Sequence, residues 1–274
     1  MSSNSTPVTK IVPDYLAKKN AHPRDQYIEF DEGPHIYTIY GKQGYTSVTT
    51  WNHTHFGHFD SEGIVNNILK GKRIREDPTY KYYGMTREQI LKMWDDNTKE
   101  ASGSGTKMHY DIECFYNGLN VVNDSVEYQF FEKFVKDFPD LKAYRTEWMV
   151  FYEELKLSGS IDMVFELPDG TLQIYDWKRS KGLSYGDEGW KTKYATTECI
   201  QHLPDANFWH YSLQLNTYKI ILEHKYGKKI SGMYLVRLHP ENPSNTYERV
   251  EVPLLEKEMA DLLELRRKQV ADLV

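Results

Sequence analysis

The chain has 274 residues, of which 39% are hydrophobic and 27% charged, the composition of an ordinary folded protein rather than a disordered or fibrous one. Its formal net charge of -6 argues against a protein that holds nucleic acid through overall basicity alone. The two cysteines, Cys114 and Cys199, form no CxxC pair, which excludes a zinc finger or a four-thiolate iron–sulfur cluster and favours a reducing compartment.

The first third of the chain predicts a flexible leader, a small β-hairpin and then helices. Residues 1–13 are polar and have no hydrophobic period, so we expect a flexible leader there. The segments YIEF and HIYTIYGK alternate around the turn DEGP at 31–34, which predicts a hairpin followed by the β-branched SVTT. Helical patterns begin near Ser61, and Thr86 is a suitable N-cap for the helix TREQILKMWDDNTKEA. Residues 14–98 are therefore predicted to form an N-terminal β-hairpin and helical extension.

Residues 99–274 predict an α/β domain in which helices precede a sheet. The SGSG at 102–105 is expected to be flexible and to separate the preceding helix from a new one, TKMHYDIECFYNG, after which SVEYQFFEKFVKDF continues the helical run. The segments YRTEWMVFY, SGSIDMVFEL and TLQIYDWKR are rich in β-branched and aromatic residues. They predict three adjacent antiparallel strands with a turn at PDG, residues 168–170.

A loop of roughly 25 residues follows those strands, and a connection of that length is more often functional than a mere link. After it, NFWHYSLQLNTYKIILEHKYG predicts a strongly amphipathic helix, two more strands follow, and LLEKEMADLLELRRKQVADL predicts a C-terminal helix. No run of the sequence approaches the ~18 consecutive apolar residues of a membrane span, and the N-terminus lacks the apolar stretch of a secretory signal. We therefore expect an intracellular protein, cytosolic, nuclear or organellar, that is neither secreted nor bound to a membrane.

Three ionisable residues on the predicted sheet carry the strongest functional signal. Alternate side chains share a face of a strand, so Asp176 and Lys178 project together, and the neighbouring strand can bring Asp162 beside them. Two carboxylates are enough to hold Mg²⁺ when a substrate phosphate supplies further oxygens, and a lysine complements negative charge on that phosphate. The alternative is a surface ion pair on an edge strand. The apolar flanks IDMVF and LQIY favour burial, and buried charges are usually paired or bind metal.

A histidine upstream and a glutamine–tyrosine pair downstream complete a pattern that resembles the PD-(D/E)XK nuclease superfamily, and within it the RecB-like exonuclease branch. The family's GTxxH context matches residues 105–109, its acidic hairpin matches Asp162 and the DWK at 176–178, and its QxxxY helix matches 214–218. The resemblance covers about residues 100–225. An isoleucine stands where the family pattern has a proline before the first acid, a position that RecB-like members commonly relax.

The resemblance implies a restriction-endonuclease-like core, with a central mixed sheet flanked by helices, and a role for each matched residue. Lys178 would be the catalytic lysine, acting with the acids Asp162 and Asp176. Gln214 and Tyr218 would support the site or contact DNA. The metal ligands would be His109, Asp162, Asp176 and the backbone carbonyl of Trp177. The cation would be Mg²⁺, with Mn²⁺ as a substitute, and no iron–sulfur cluster is expected, because the cysteines that hold one in some relatives are missing.

Weaker candidates stand beside these residues. Glu113 lies one helical turn after His109 and shares its face, although a solvent-facing Glu113 is equally consistent with the sequence. Glu147 occupies a strand position where RecB-like sequences often carry an acid; a second metal, a bond to the active-site lysine or an exposed position would each explain it. The basic residues after the hairpin are candidates for DNA contact unless they form only a solvated loop: Arg179, Lys181, Lys191 and Lys193.

The expected activity is Mg²⁺-dependent hydrolysis of phosphodiester bonds, by an exonuclease that acts on DNA ends or single strands in replication, recombination or repair. A structure-specific endonuclease with the same metal centre and a catalytically inactive nucleic-acid-binding module are the alternatives. A two-carboxylate sugar hydrolase would give Lys178, Gln214 and Tyr218 no joint purpose. A helicase, polymerase or recombination protein is the expected partner, and because the chain has no GxxxxGK[ST] loop, an unwinding partner would be another polypeptide.

Overall fold

The computed structural model describes residues 11–187, 189 and 192–272. The strands are β1 (Ile28–Asp31), β2 (Ile36–Ile39), β3 (Thr46–Ser47), β4 (Lys142–Tyr152), β5 (Leu157–Glu166), β6 (Leu172–Lys178), β7 (Ile230–Arg237) and β8 (Glu248–Glu251). The α-helices are α1 (Tyr15–Lys19), α2 (Val48–His53), α3 (Ser61–Lys70), α4 (Arg73–Glu76), α5 (Arg87–Tyr116), α6 (Val126–Asp137), α7 (Asn207–Tyr226) and α8 (Glu256–Ala271). Short 3-10 helices lie at Asp25–Tyr27, Glu153–Leu155 and Glu198–Ile200.

A mixed six-stranded sheet organises the fold. Strands β4, β5 and β6 are antiparallel neighbours, as the sequence predicted, and β6 then pairs in parallel with β7, which pairs antiparallel with β8. The short β3 pairs in parallel with the start of β5, on the edge that β6 occupies further along. The predicted hairpin is present as the separate antiparallel pair β1–β2. The prediction of an α/β fold with a central mixed sheet, flanking helices and an N-terminal hairpin is confirmed.

Two hydrophobic layers cover the two faces of this sheet. In β6, Ile174 faces the layer beneath α7 and α8, whereas Tyr175 and Trp177 face a second layer beneath α5 and α6. Phe131 and Phe134 of α6 pack edge-on against Trp177, with ring centroids 5.6 and 5.3 Å away. The alternation of β6 therefore separates the two layers, and it puts Asp176 and Lys178 on the α7 side.

Helix α7 crosses from β6 to β7 through the interior. The sequence predicted an amphipathic helix, and that prediction is wrong: along this fully described helix, only His224 is exposed. The sheet covers one side of α7, and α2 and α8 cover others. Ser212 and Thr217 are accommodated because they donate hydrogen bonds to the carbonyls of Phe208 and Leu213, each 2.7 Å away. Contacts on several sides fix the rotation of α7 about its axis, and hence the side chains that it presents to the sheet.

Helix α5 is continuous through the segment that was expected to be flexible. It begins at the capping box formed by Thr86 and Gln89 and runs without interruption through SGSG at 102–105 to Tyr116. Each glycine costs a helix about 1 kcal/mol relative to alanine, but glycine keeps the backbone N–H that proline lacks. Tertiary contacts at both ends of α5 outweigh that penalty, so the predicted break is wrong.

The SVTT segment divides between a strand and a helix. Only Ser47 belongs to β3, and its hydroxyl accepts a hydrogen bond from the Thr50 backbone N–H, which caps α2. Val48 and Trp51 of this helix are buried in the layer beneath α7. The β-branched residues that suggested a strand are used here for packing.

Among the described residues, no gap between structural elements marks the predicted boundary between the N-terminal extension and the core. The boundary between residues 98 and 99 falls within α5, and β3 belongs to the same sheet as β5. The division at that boundary stays a prediction, and residues 1–10 of the expected leader lie outside the described residues. Among the helices described, none has both the length and the apolar character that crossing a bilayer requires.

His55 joins the end of α2 to the long loop before α7. Its ring is buried, packs edge-on against Trp51 and has Nδ1 2.9 Å from the Thr197 hydroxyl. The backbone carbonyl of His55 accepts a hydrogen bond from the Thr196 N–H at 2.8 Å. Burial, with a smaller contribution from Arg266, lowers the pKa of His55 to about 4.

The low pKa of His55 predicts a loss of stability in acid. The unfolded chain binds the proton first, at the ordinary pKa of 6.5, so stability is complete above that pH and is lost as the pH falls towards 4. Between about pH 7 and about pH 4.5, the wild type should lose about 2 kcal/mol more unfolding free energy than His55→Asn. Urea unfolding measures this difference, and the exposed His58→Asn is the control. Parallel losses in the wild type and His55→Asn would contradict the assignment.

Candidate metal centre

The β5–β6 hairpin brings together the three ionisable residues that the sequence singled out. Asp176 and Lys178 share a face of β6, and Lys178 Nζ lies 2.7 Å from Asp176 Oδ2. Asp162 Oδ2 on β5 accepts a hydrogen bond of 3.0 Å from the Trp177 backbone N–H. Asp176 is buried and Lys178 nearly so. This is a buried cluster and not a surface ion pair.

An irregularity in β4 and β5 shapes the strands at Asp162. Ile161 and Val164 pack in the layer beneath α7, whereas Met163 packs in the opposite layer, so the alternation of β5 shifts by one residue at Asp162. Across the strand pair, Glu147 has a left-handed backbone with φ of 40° and takes no part in the regular pairing. Such a conformation costs a non-glycine residue roughly 1–3 kcal/mol. It accompanies the approach of two carboxylates to one point.

His109 of α5 lies among these acidic groups. Its Nε2 is 2.9 Å from the Trp177 carbonyl oxygen, and its Nδ1 is 3.5 Å from Asp162 Oδ2 and 3.7 Å from Glu147 Oε1. The other oxygen of Glu147 accepts a hydrogen bond of 2.8 Å from the Ser160 hydroxyl. The imidazole therefore links α5 to three strands, and Glu147 contacts the histidine side of the cluster.

The pKa values of these groups reflect burial opposed by their neighbours. Burial lowers the pKa of His109, but Asp162, Glu147 and Asp176 together outweigh it and raise that pKa to about 9. Burial raises the pKa of Asp162, Asp176 raises it further and His109 opposes both, which leaves it at about 7. The pKa of Lys178 is raised, because Asp176 and Asp162 outweigh its burial. Lys178 therefore keeps its ammonium form, which suits a role in stabilising negative charge on a phosphate and does not suit a general base.

The donor set of the cluster fits a divalent cation. One ligand atom from each of His109, Glu147 and Asp162 lies within 4.8 Å of the others, and the Trp177 carbonyl adjoins them. Asp176 Oδ2 is buried and accepts no hydrogen bond, although Lys178 pairs with it. Oxygen ligands with one imidazole suit Mg²⁺ or Mn²⁺. Glu147 therefore joins the candidate ligands more closely than its secondary place in the sequence pattern suggested.

Helix α7 covers the lysine side of the cluster. Tyr218 lies against Gly159 of β5 so closely that a Cβ at that glycine would be 2.7 Å from the Tyr218 hydroxyl, and Gln214 hydrogen-bonds to the tyrosine. Burial raises the pKa of Tyr218 well above its ordinary value. One turn before Gln214, the ring of Tyr211 lies over Lys178, with Nζ 4.4 Å from the ring centroid. The sequence did not link Tyr211 to Lys178, although the i, i+3, i+7 spacing of Tyr211, Gln214 and Tyr218 puts all three on one face of α7.

A surface cavity of about 380 Å³ opens beside His109. It is lined by Glu32, Gly105, Thr106, His109, Tyr110, Glu113 and Glu147. Glu113 thus shares the face of α5 that carries His109, as its spacing indicated. Glu32, from the turn of the β1–β2 hairpin, could not be linked to the site from local sequence, because only the folded hairpin brings it there.

The four basic residues proposed for DNA contact differ in their surroundings. The Arg179 guanidinium is largely buried and engaged by Glu127 at 2.6 Å and Glu100 at 3.3 Å, so it ties β6 to α6 and α5. Lys181 is exposed and paired with Glu241. Lys193 is exposed and has no ion pair within the described ranges, while Lys191 lies outside them. A contact with DNA remains a prediction for all four residues.

Comparison with known protein families finds a match that spans both the sheet and the cluster. A family model described as the PD-(D/E)XK nuclease superfamily matches residues 88–274, which include β4 to β8 and every candidate ligand. No curated protein matches the chain.

Loss of one carboxylate should weaken cation binding. We expect Mn²⁺ to bind the wild type in a calorimetric titration and Asp162→Asn to bind it at least about tenfold more weakly, because an amide lacks the charge that holds a hard cation. The matched control is Asp169→Asn in the exposed turn between β5 and β6, which should leave affinity unchanged. Equal affinities for the wild type and Asp162→Asn would place the cation elsewhere.

Proposed function

Because the chain belongs to the PD-(D/E)XK nuclease superfamily, we propose that it is a Mg²⁺-dependent deoxyribonuclease of the RecB-like exonuclease branch. Family membership supports the coarser statement, a metal-dependent nuclease with DNA as substrate. One observation carries the proposal of Mg²⁺-dependent cleavage: Asp162, Asp176 and Lys178 converge on a point that His109 also reaches. Mn²⁺ would substitute for Mg²⁺ at such a site.

The proposed mechanism assigns separate tasks to the two sides of the cluster. A bound divalent cation would polarise the phosphodiester and activate water for hydrolysis. His109, Glu147, Asp162, Asp176 and the Trp177 carbonyl are the groups proposed to hold it. The Lys178 ammonium, kept charged by the carboxylates, would stabilise negative charge that develops on the phosphate. Gln214 and Tyr218 would hold α7 against β5 so that Lys178 keeps its position.

The preference for DNA ends or single strands follows from the resemblance to RecB-like enzymes, as do the proposed roles in replication, recombination or repair. A helicase, polymerase or recombination protein is the partner that such roles would require. A structure-specific endonuclease would use the same cluster, so the form of the substrate has to distinguish the two. We propose a reducing, intracellular place of action, where Cys114 and Cys199 would stay outside disulfides, as they do in this structure.

Replacement of Asp176 tests the nuclease proposal. We expect the wild type to degrade linear single-stranded DNA with Mg²⁺, to leave circular DNA intact and to stop in EDTA. Asp176→Asn should lower kcat by at least about 100-fold, because it removes a cation ligand and the partner of Lys178.

A gel assay with end-labelled linear DNA and with circles measures both properties, and Asp169→Asn serves as the control of equal charge. Cleavage of circles by the wild type would replace the exonuclease with an endonuclease. Unchanged cleavage by Asp176→Asn would refute the assigned site.

Tyr211 is proposed as a positioning residue for Lys178. Tyr211→Phe keeps the ring beneath the ammonium and should retain kcat within about twofold. Tyr211→Leu removes the cation–π contact and should lower kcat by about 3- to 30-fold with little change in KM, because a partly desolvated contact contributes about 1–2 kcal/mol. Steady-state kinetics separates the two constants. Equal losses in both variants would mean that the hydroxyl, and not the ring, is what matters.

A further inference from the structure

A helical arm stands apart from the nuclease core. We use this name for residues 61–97, which comprise α3, α4, the segment after it and the first turns of α5. The arm has its own small core, in which Val65, Ile74 and Ile90 are buried and Trp94 packs against them. Residues 95–103 of α5, between the arm and the site, are all exposed. The arm therefore projects from the core on a continuous helix.

Positive charge in the arm is concentrated in one segment. Residues 70–87 contain six lysines and arginines against two acids, whereas the arm as a whole has seven against six and the whole chain has a net charge of -6. Arg73 and Arg87 are held by Asp77 and Glu62. The other four basic side chains are exposed and have no ion pair with any described residue: Lys70, Lys72, Arg75 and Lys81.

Three tyrosines accompany these charges. Tyr82 accepts a hydrogen bond of 3.1 Å from the Trp94 indole, and Tyr80 packs edge-on against Tyr82, so both rings belong to the arm's core. Tyr83 is different, because 46% of its surface is exposed, whereas Lys81 lies over the Tyr82 ring with Nζ 5.4 Å from the centroid. Exposed cations can contact the phosphates of a nucleic-acid strand, and an exposed ring on the same segment can stack on a base.

Helix α5 sets the distance and direction from the arm to the metal centre. Leu91, which packs against the arm's core, precedes His109 by 18 residues. In an α-helix, 18 residues are five turns, so the two side chains leave the same side of α5 about 27 Å apart. Ile90 and Trp94 point about 100° and 60° to one side of the direction shared by Leu91 and His109, so the arm's core begins on the side of α5 that carries His109 and extends around the helix from there.

We propose that the helical arm is a second binding surface for the DNA substrate, contacting phosphates that lie about eight steps of 3.4 Å from the one being hydrolysed. This proposal rests on the proposed function, because it takes the cluster at His109 as the point of cleavage. Nucleic acid carries its charges at regular intervals, so one strand can contact several separate, unpaired cations. A compact acidic ligand would suit such a surface less well. The arm would also offset the repulsion between DNA and a protein of net negative charge.

The test compares two variants that lose the same charge. The arm variant is Lys72→Gln, Arg75→Gln and Lys81→Gln, and the control variant is Lys136→Gln, Lys229→Gln and Lys268→Gln, all at exposed positions. Binding of a fluorescein-labelled strand of about 25 nucleotides is measured by anisotropy in EDTA over a range of salt concentrations. The arm variant should bind about tenfold or more weakly, and its salt dependence should fall by about two ions, since each phosphate contact contributes about 0.7. The control variant should match the wild type.

Cleavage of a strand of about three nucleotides, which even when fully extended is shorter than the distance of about 27 Å to the arm, separates the arm from the active site. With Mg²⁺, the arm variant should keep the wild-type kcat/KM on this short strand and lose it on the long one, mainly through KM. Equal binding of the long strand by the arm variant and the wild type would refute the proposal, and so would equal losses on both strands. Absence of cleavage by the wild type would refute the nuclease instead, while binding in EDTA would still decide the role of the arm.

Discussion

Two buried carboxylates, Asp162 and Asp176, lie with the partly exposed Glu147 around one ammonium and one imidazole, and this arrangement is the constraint on which the rest of the structure depends. Carboxylates brought close together in a largely buried site repel one another, and Lys178 and His109 offset that repulsion. The left-handed residue in β4, the rotation of α5 and the tight contact between α7 and β5 all serve to bring those groups together. A divalent cation would balance the charge of the same carboxylates by binding to them directly.

The proposed active site is acidic, and so is the polymer that it would cleave, so the two repel each other. Within the cluster, Lys178 is the group proposed to meet the phosphate, and the next residue, Arg179, is occupied by Glu127 and Glu100. Free positive charge is found instead on the helical arm, at the far end of the helix that supplies His109. The positive charge that would attract DNA and the groups that would cleave it thus lie in different parts of the structure. A cation at the cluster would neutralise the acids only at the point of cleavage.

The strand pattern was enough to predict the sheet and the meeting of Asp176 with Lys178, because alternation along a strand is a local property that burial reinforces. Features that depend on distant partners were not accessible in this way. The continuity of α5 through residues 102–105 reflects contacts at its ends, which outweigh weak glycine propensities. The pairing of Arg179 joins residues far apart in the chain, and the left-handed backbone of Glu147 has no sequence signal that we can name. The sequence predicted the candidate site residues, and tertiary contacts determined which other side chains surround them.

The unbroken course of α5 has a mechanical consequence. A helix with continuous hydrogen bonds behaves as a stiff rod over a few tens of ångströms, so a tilt at one end is transmitted to the other. DNA that binds to the arm and tilts it would therefore also displace the imidazole of His109, about five helical turns away. Gly103 and Gly105, near the middle of α5, are the positions at which this helix would bend most easily. They therefore determine how much of a displacement at the arm would reach His109.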